Sequence, residues 1–423
     1  MIDIKIIREE PGRFQKAADD KKIAVDISRL LDVDNELSAV KRQLQDIATE
    51  KNSVGKSIPK LNGDEKQSAI AKLSELKEKE AGLNEQVGKL QPVFDELMMQ
   101  VAQPADDDVP IGKDDTENVE LRKEGQVRQF DFEPKDHIQL GQSLGLIDVE
   151  RGVKLSGSRN YFLTGDGALL HWAVLRFAMD FMVERGYRPM SVPLLMKDEA
   201  MRGTGYYPGS EEQTYQMERD ALSLAGTAEV PLTAYYMGEI LKSEELPKKF
   251  VAMSSCFRRE AGAAGKDTYG LYRIHQFDKV EQVIICENSV EQSNKFHEEI
   301  LANSEGVLKA LELPYRIVVV CTGDLGRGQA KKYDIETWMP SRKNYCETHS
   351  ASKFYDFQAR RMNLRYKDAE TKKNVFCHTL NNTVIASPRI LIPILELYQN
   401  ADGTVTVPSV LRPYMGGKEK IGD

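Results

Sequence analysis

The sequence predicts an α+β protein in two unequal parts, a helical hairpin followed by a large antiparallel-sheet domain. Three observations lead there. Apolar residues in the first hundred positions recur at alternating spacings of three and four. A Pro- and acid-rich stretch, Gln103-Pro104-Ala105-Asp106-Asp107-Asp108-Val109-Pro110, then breaks that pattern. Beyond it, strand-like segments follow one another with few helices between, which favours antiparallel pairing over a doubly wound parallel sheet.

The first limb carries Leu30, Val33, Leu37, Val40, Leu44 and Ile47, then Val54 after one break at Lys51. That spacing is the seam of a two-stranded coiled coil. The breaker Ile58-Pro59-Lys60-Leu61-Asn62-Gly63-Asp64 follows, and a second limb carries Ile70, Leu73, Leu76, Leu83, Val87, Leu90 and Leu97. Two seams joined by a short breaker predict an antiparallel hairpin, each limb of about thirty residues reaching roughly 45 Å at 1.5 Å per residue. The expected boundaries are 1–103 for this arm and 104–423 for the sheet domain. Within the second part, residues 169–183 predict a long apolar helix, and strands are expected at 192–196, 250–258, 276–286, 315–322 and 334–339. Amphipathic helices are expected at 290–313 and 389–398.

Composition bounds the class. The 423 residues predict two or three domains. With 58 basic against 66 acidic residues, the formal net charge is -8, which argues against a histone-like coat for nucleic acid but leaves room for a local basic surface. No apolar run reaches the ~18–20 residues of a membrane helix, so no membrane partner is expected. The first residues lack the apolar stretch of a secretory signal. Five cysteines, an odd number with no CxxC pair, fit a reduced, cytoplasmic compartment.

Several segments hold chemistry-bearing residues. Gly262-Ala263-Ala264-Gly265-Lys266-Asp267-Thr268 looks like a phosphate loop, but Glu260 stands where the first glycine of a P-loop belongs and Asp267 follows the lysine. Gly323, Gly326 and Gly328 follow a strand without dinucleotide spacing and read as an ordinary turn. Cys346 with His349, and Cys377 with His378, could in principle surround zinc. Neighbours on a strand face opposite ways, however, so no zinc is expected. Most informative is Cys256-Phe257-Arg258-Arg259-Glu260, a strand end separated by a Gly-rich turn from His275-Gln276-Phe277-Asp278-Lys279-Val280-Glu281. Alternation puts Arg258 and Glu260 on one face, and likewise Phe277, Lys279 and Glu281. Arginine forks bind phosphate, an aromatic ring stacks on a base, and carboxylates bind an amine.

The order Phe257-Arg258-Arg259-Glu260 through Gly270-Leu271-Tyr272-Arg273-Ile274-His275-Gln276-Phe277 resembles motif 2 of class II aminoacyl-tRNA synthetases. Residues 256–281 resemble, more narrowly, the bacterial-type seryl-tRNA synthetase family. Thr227-Ala228-Glu229 is similar to that family's serine-binding element, and Val192-Pro193 after a long helix to motif 1, its dimer-forming element. Asp356-Phe357-Gln358-Ala359-Arg360-Arg361 and His378-Thr379-Leu380-Asn381 resemble the run into motif 3, which would contain Arg389 and Glu396.

The resemblance implies an antiparallel catalytic domain and a homodimer that activates L-serine with ATP and loads it onto tRNA(Ser), with tRNA(Sec) as a further acceptor. It implies Arg258 on the ATP α-phosphate, Arg389 on the γ-phosphate, Phe277 stacked on adenine and Glu260 at its exocyclic amine. Arg259, Thr348 and His349 join the ATP-binding set, and Glu347 and Ser350 match the positions for Mg²⁺. Serine would be read by Thr227, Ala228, Glu229, Arg258, Glu281 and Thr383. The hairpin would grip tRNA, with Lys51, Lys56, Lys60 and Lys66 near its tip. Two departures stand out: Glu347-Thr348-His349-Ser350-Ala351-Ser352-Lys353 replaces the usual Glu-Ile-Ser-Ser-Cys-Ser-Asn, and Asn382-Thr383-Val384 replaces Gly-Ser-Gly. Pro388 also precedes Arg389 directly. The rival readings are a synthetase-like binding protein without catalysis and a ligase that charges a carrier protein.

Overall fold

The computed structural model describes residues 2–261 and 267–423, so the glycine loop 262–266 lies outside the described residues. The chain divides into two compact units, Ile2–Ala102 and Gln103–Asp423.

The first unit holds helices α1 (Ile4–Glu9), α2 (Pro11–Asp20), α3 (Ile27–Ser57) and α4 (Gly63–Gln100). Asp26 caps α3 by accepting from the Arg29 amide, which satisfies one of the amides a helix start leaves open. Helices α3 and α4 pack along each other, as the paired seams require. Leu30, Val33, Leu37 and Val40 are buried, whereas Leu44, Ile47 and Val54 keep partial exposure. Ile70 departs from the expected seam and is 52% exposed. Counting back from Leu76 and Leu73 in steps of three and four, the seam position is Ala69 instead, which is half-buried. The break at Lys51 also has a structural partner: its ammonium lies 2.6 Å from Glu80, midway between Leu76 and Leu83 on the other limb. A paired polar layer of this kind fixes which residues face each other along a coiled coil.

The second unit is built on one eight-stranded sheet. Its strands are β1 (Val119–Glu124), β2 (Arg188–Met190), β3 (Lys248–Phe257), β4 (Gln276–Cys286), β5 (Tyr315–Val319), β6 (Lys331–Met339), β7 (Asn344–Tyr355) and β8 (His378–Ser387). Their order is β1-β5-β6-β7-β8-β4-β3-β2, antiparallel throughout except for β2 against β3. The expected strand at 192–196 is only Leu195–Lys197, part of a separate small sheet. Strands β1 and β2 were not expected, and neither were β7 and β8. The latter two are polar because one face of each lines a cavity, so the alternation that signals a half-buried strand is weak.

Helices α5 (Asp166–Glu184), α6 (Val290–Ala310) and α7 (Leu391–Tyr398) cover one face. Val280, Ile284, Ile335, Leu380 and Val384 point into the core between that face and the helices, with Leu170, Val174, Ile300, Leu308 and Ile394 opposite them. On the other face of β4, Val283 and Ile285 enter a second core with Phe250, Leu232 and Met362. The C-terminal half of β4 is therefore buried on both sides, which is why it reads as a continuous apolar run. Its N-terminal half, Phe277 to Glu281, leaves the same face open for the cavity described next.

Candidate active site

The cavity lies on the face of the sheet opposite α5–α7 and measures about 260 Å³. Regular alternation alone would not build it. Glu336 pairs with Glu347 and Ile335 with His349, so Thr348 is an extra residue in β7. Val280 pairs with Ile385 and Glu281 with Thr383, so Val384 is an extra residue in β8. Each insertion is a β-bulge. The first brings Glu347 and Ser350, an odd number of residues apart, onto one face; the second does the same for Thr383 and Ala386. The bulged pairs are more deeply buried than these. Val384 and Ile385 join the helix-side core. Thr348 bonds Thr337 at 2.7 Å and His349 at 2.8 Å. Burial pushes the His349 pKa down to about 3, so its imidazole is neutral.

One end of the cavity is rich in cations. Arg258 leaves the end of β3 with its guanidinium 5.2 Å from the centroid of the Phe277 ring and donates to the Gly226 carbonyl at 3.3 Å. Arg389 stacks over Tyr272 at 4.4 Å and donates to the Tyr272 carbonyl at 3.0 Å and the Glu347 carbonyl at 3.1 Å. Arg273 pairs with Glu260 at 2.8 Å, and Lys332 with Asp334 at 3.0 Å. Burial would raise the Glu347 carboxyl, but Arg389, Lys332, Arg258 and Arg273 outweigh it and hold the pKa below the ordinary range. Burial raises Asp334, the cross-strand partner of Ser350, to about 7.

The other end is small and closed. Glu229, in the short helix Glu229–Thr233, accepts from Gln358 at 2.9 Å and from the Tyr206 hydroxyl at 3.2 Å. Burial, then the nearby charge of Glu281, pushes its pKa up to about 7. Glu281 pairs with Lys279 at 2.5 Å and accepts from Thr383 at 3.2 Å. Lys279 also donates to the Thr227 hydroxyl at 2.7 Å.

Arg258, Glu260, Phe277, Glu281, Glu347, Thr348, His349, Ser350, Thr383, Arg389 and Glu229 thus all border one cavity. Thr227 reaches it through Lys279, and Ala228 is buried behind it. Arg259 is not among the lining residues; its side chain stands 4.0 Å from the exposed Glu212. Lys51 is spent on Glu80, while Lys56, Lys60 and Lys66 are exposed around the turn between α3 and α4. Sequence reasoning missed Tyr206, Tyr272, Arg273, Lys332 and Asn381 as lining residues, and Gln358 as the residue that holds Glu229. Arg273 and Gln358 fall inside the motif-like stretches, a signal that was available; Lys332 and Tyr206 carried none. Of the remaining candidates, Cys377 lies in the core with Val283 and Cys346 packs against the helix-side core, so the two are in different layers. Gly323 packs so tightly that a Cβ would meet the Lys113 carbonyl oxygen at 2.3 Å, a structural turn.

Residues 213–398 match the family described as tRNA synthetase class II core domain (G, H, P, S and T), and residues 1–103 match the seryl-tRNA synthetase N-terminal domain. The chain is 47% identical to a serine–tRNA ligase of Deinococcus radiodurans, covering 100% of this chain and 99% of the relative. It is 42% identical to a serine–tRNA ligase of Fervidobacterium nodosum over 98% of each. Among solved structures, seryl-tRNA synthetase from Pyrococcus horikoshii complexed with ATP superposes with a TM-score of 0.93 at 36% identity, covering 100% of this chain and 99% of that one. The cytoplasmic serine–tRNA ligase of Naegleria fowleri in complex with AMP gives 0.87 at 30% identity, covering 100% and 98%. The chain belongs to the seryl-tRNA synthetase family.

Proposed function

We propose that this chain is an ATP-dependent serine–tRNA ligase. The observation that carries the reading is the division of one cavity into a cation-rich end fit for a triphosphate and a closed carboxylate end fit for a small amino acid. The serine carboxylate oxygen attacks the α-phosphorus of ATP, the bond to pyrophosphate breaks, and seryl-adenylate remains. A 3′-terminal hydroxyl of tRNA then attacks the acyl carbon and releases AMP. Arg258 neutralises charge on the α-phosphate, and Arg389 holds the far end of the triphosphate; both are fixed before substrate arrives, by Phe277 and Gly226 and by Tyr272 respectively. Preset donors aimed at developing charge are the largest source of catalysis in reactions with so little covalent chemistry. Phe277 stacks on adenine, with Glu260 at its amine.

The Glu347 carboxylate and Ser350 hydroxyl fit Mg²⁺, which takes few protein oxygens and completes its shell with phosphate and water. Bound there, the ion would offset phosphate charge. Serine is taken by Thr227, Glu229, Glu281 and Thr383. The arm engages tRNA(Ser), with tRNA(Sec) as a further acceptor, through Lys56, Lys60 and Lys66, and the functional enzyme is a cytoplasmic homodimer. Two assays decide between the rivals. Serine-dependent ATP–pyrophosphate exchange with tRNA charging is expected; no exchange overturns the enzyme, and exchange without charging favours a carrier-protein ligase.

A further inference from the structure

Lys279 pairs with Glu281 and Thr227 at the closed end of the cavity, and its surroundings assign it a task. It is 5% exposed, among the most buried lysines of the described residues. Its ammonium is 2.5 Å from Glu281, 2.7 Å from the Thr227 hydroxyl and 3.4 Å from the Thr383 hydroxyl. An ammonium has three N–H donors. Two are well used; the third has only the long contact to Thr383 and is available to a ligand.

The two carboxylates at this end are unlike each other. Glu281 already faces a cation, so a second ammonium brought to it would be repelled by Lys279. Glu229 is held by the neutral groups Gln358 and Tyr206. With a pKa of about 7, it ionises readily when a cation arrives. The substrate's ammonium therefore belongs at Glu229. What remains at Lys279 and Glu281 is a donor beside an acceptor, the pair that a hydroxyl requires.

We propose that Lys279 is a specificity-determining residue that donates a hydrogen bond to the hydroxyl oxygen of the amino-acid substrate. The assignment rests on the serine reading given above. Alanine offers that donor nothing, and a buried charged donor left unpaired is costly. The lysine thus penalises the analogue as well as rewarding the substrate.

The test compares binding of the sulfamoyl analogues of seryl- and alanyl-adenylate to the full chain, measured by calorimetry for wild type, E281Q and K279M/E281Q. Using E281Q as the reference avoids leaving Glu281 buried without its counter-charge. Relative to E281Q, the double variant is expected to lose about tenfold or more in affinity for the seryl analogue. Its affinity for the alanyl analogue should hold or rise, since no donor is then left unpaired. Equal loss of both analogues overturns the proposal, since the lysine then only holds the pocket together. An unchanged seryl affinity overturns it too, since the lysine then only neutralises Glu281. Failure of the serine reading itself shows elsewhere, as wild-type protein that exchanges no pyrophosphate with serine.

Discussion

The two ends of the cavity solve different physical problems with the same residue types. At the phosphate end, Arg258, Arg273, Lys332 and Arg389 gather around Glu347, and the groups keep contact with solvent: Arg389 and Glu347 retain 25% and 43% of their side-chain surface. At the amino-acid end, Thr227, Glu229, Lys279, Glu281 and Thr383 are all buried. An open cluster of cations tolerates a large, flexible, hydrated anion and stabilises charge as it moves. A closed set of paired polar groups discriminates, because each group that a wrong ligand leaves unpaired costs free energy in a low dielectric. Catalysis should therefore depend on the open end and selectivity on the closed one.

Changes at each end test that separation. The largest effect is expected for Arg389→Ala, which removes a preset donor from the phosphate end. Turnover in pyrophosphate exchange should fall about 100- to 1,000-fold while the serine KM changes little; a change confined to serine KM would break the division. Glu229→Gln should act in the opposite sense, raising serine KM roughly 10- to 100-fold with the ATP KM unchanged, since it weakens one hydrogen-bonded charge pair.

A pH profile sharpens the same point. The Glu229 pKa stands at about 7 in the folded chain against an ordinary 4.5. Folded protein thus holds a proton that unfolded protein has lost, and this group's contribution to stability, present at low pH, declines as pH rises through that window. Binding has the opposite slope, because an ammonium selects the ionised carboxylate. Serine KM should fall by up to about tenfold per pH unit on approaching pH 7 and then level off. Glu229→Gln should flatten that slope; an unaltered slope in the variant places the titrating group elsewhere. The smallest effects are expected far from both ends. Replacing Lys56, Lys60 and Lys66 together should leave exchange intact and make tRNA binding less sensitive to salt, the logarithmic slope shrinking by about one for each phosphate no longer neutralised. Deleting residues 28–100 should spare exchange and impair charging.

How far the sequence reveals this architecture differs from place to place, for physical reasons. The hairpin was legible because its signal is periodic: Leu30, Val33, Leu37 and Val40 announce the seam they form. Even there, Ile70 misled, because apolar character near a helix start does not fix which face turns inward. Strands β3 and β4 were legible in the sequence, and alternation near their facing ends puts Arg258, Phe277, Lys279 and Glu281 along the one cavity. The remaining walls depended on likeness to a family rather than on periodicity. Glu347 with Ser350, and Thr383 with Ala386, meet only because Thr348 and Val384 each insert one residue into a strand. An inserted residue leaves no periodic trace, since it breaks the pattern by which strands are read. Partner choice is equally silent. Lys51 among the tip lysines resembled a phosphate contact, and only the opposite limb reveals Glu80 waiting at the gap in the seam.

The claim most open to direct test is that the closed end selects serine by its hydroxyl. Measuring kcat/KM for ATP–pyrophosphate exchange with serine and with alanine decides it. A site built to bond a hydroxyl should favour serine by about 10⁴-fold or more. Comparable exchange with the two amino acids, or none with serine, would contradict the account.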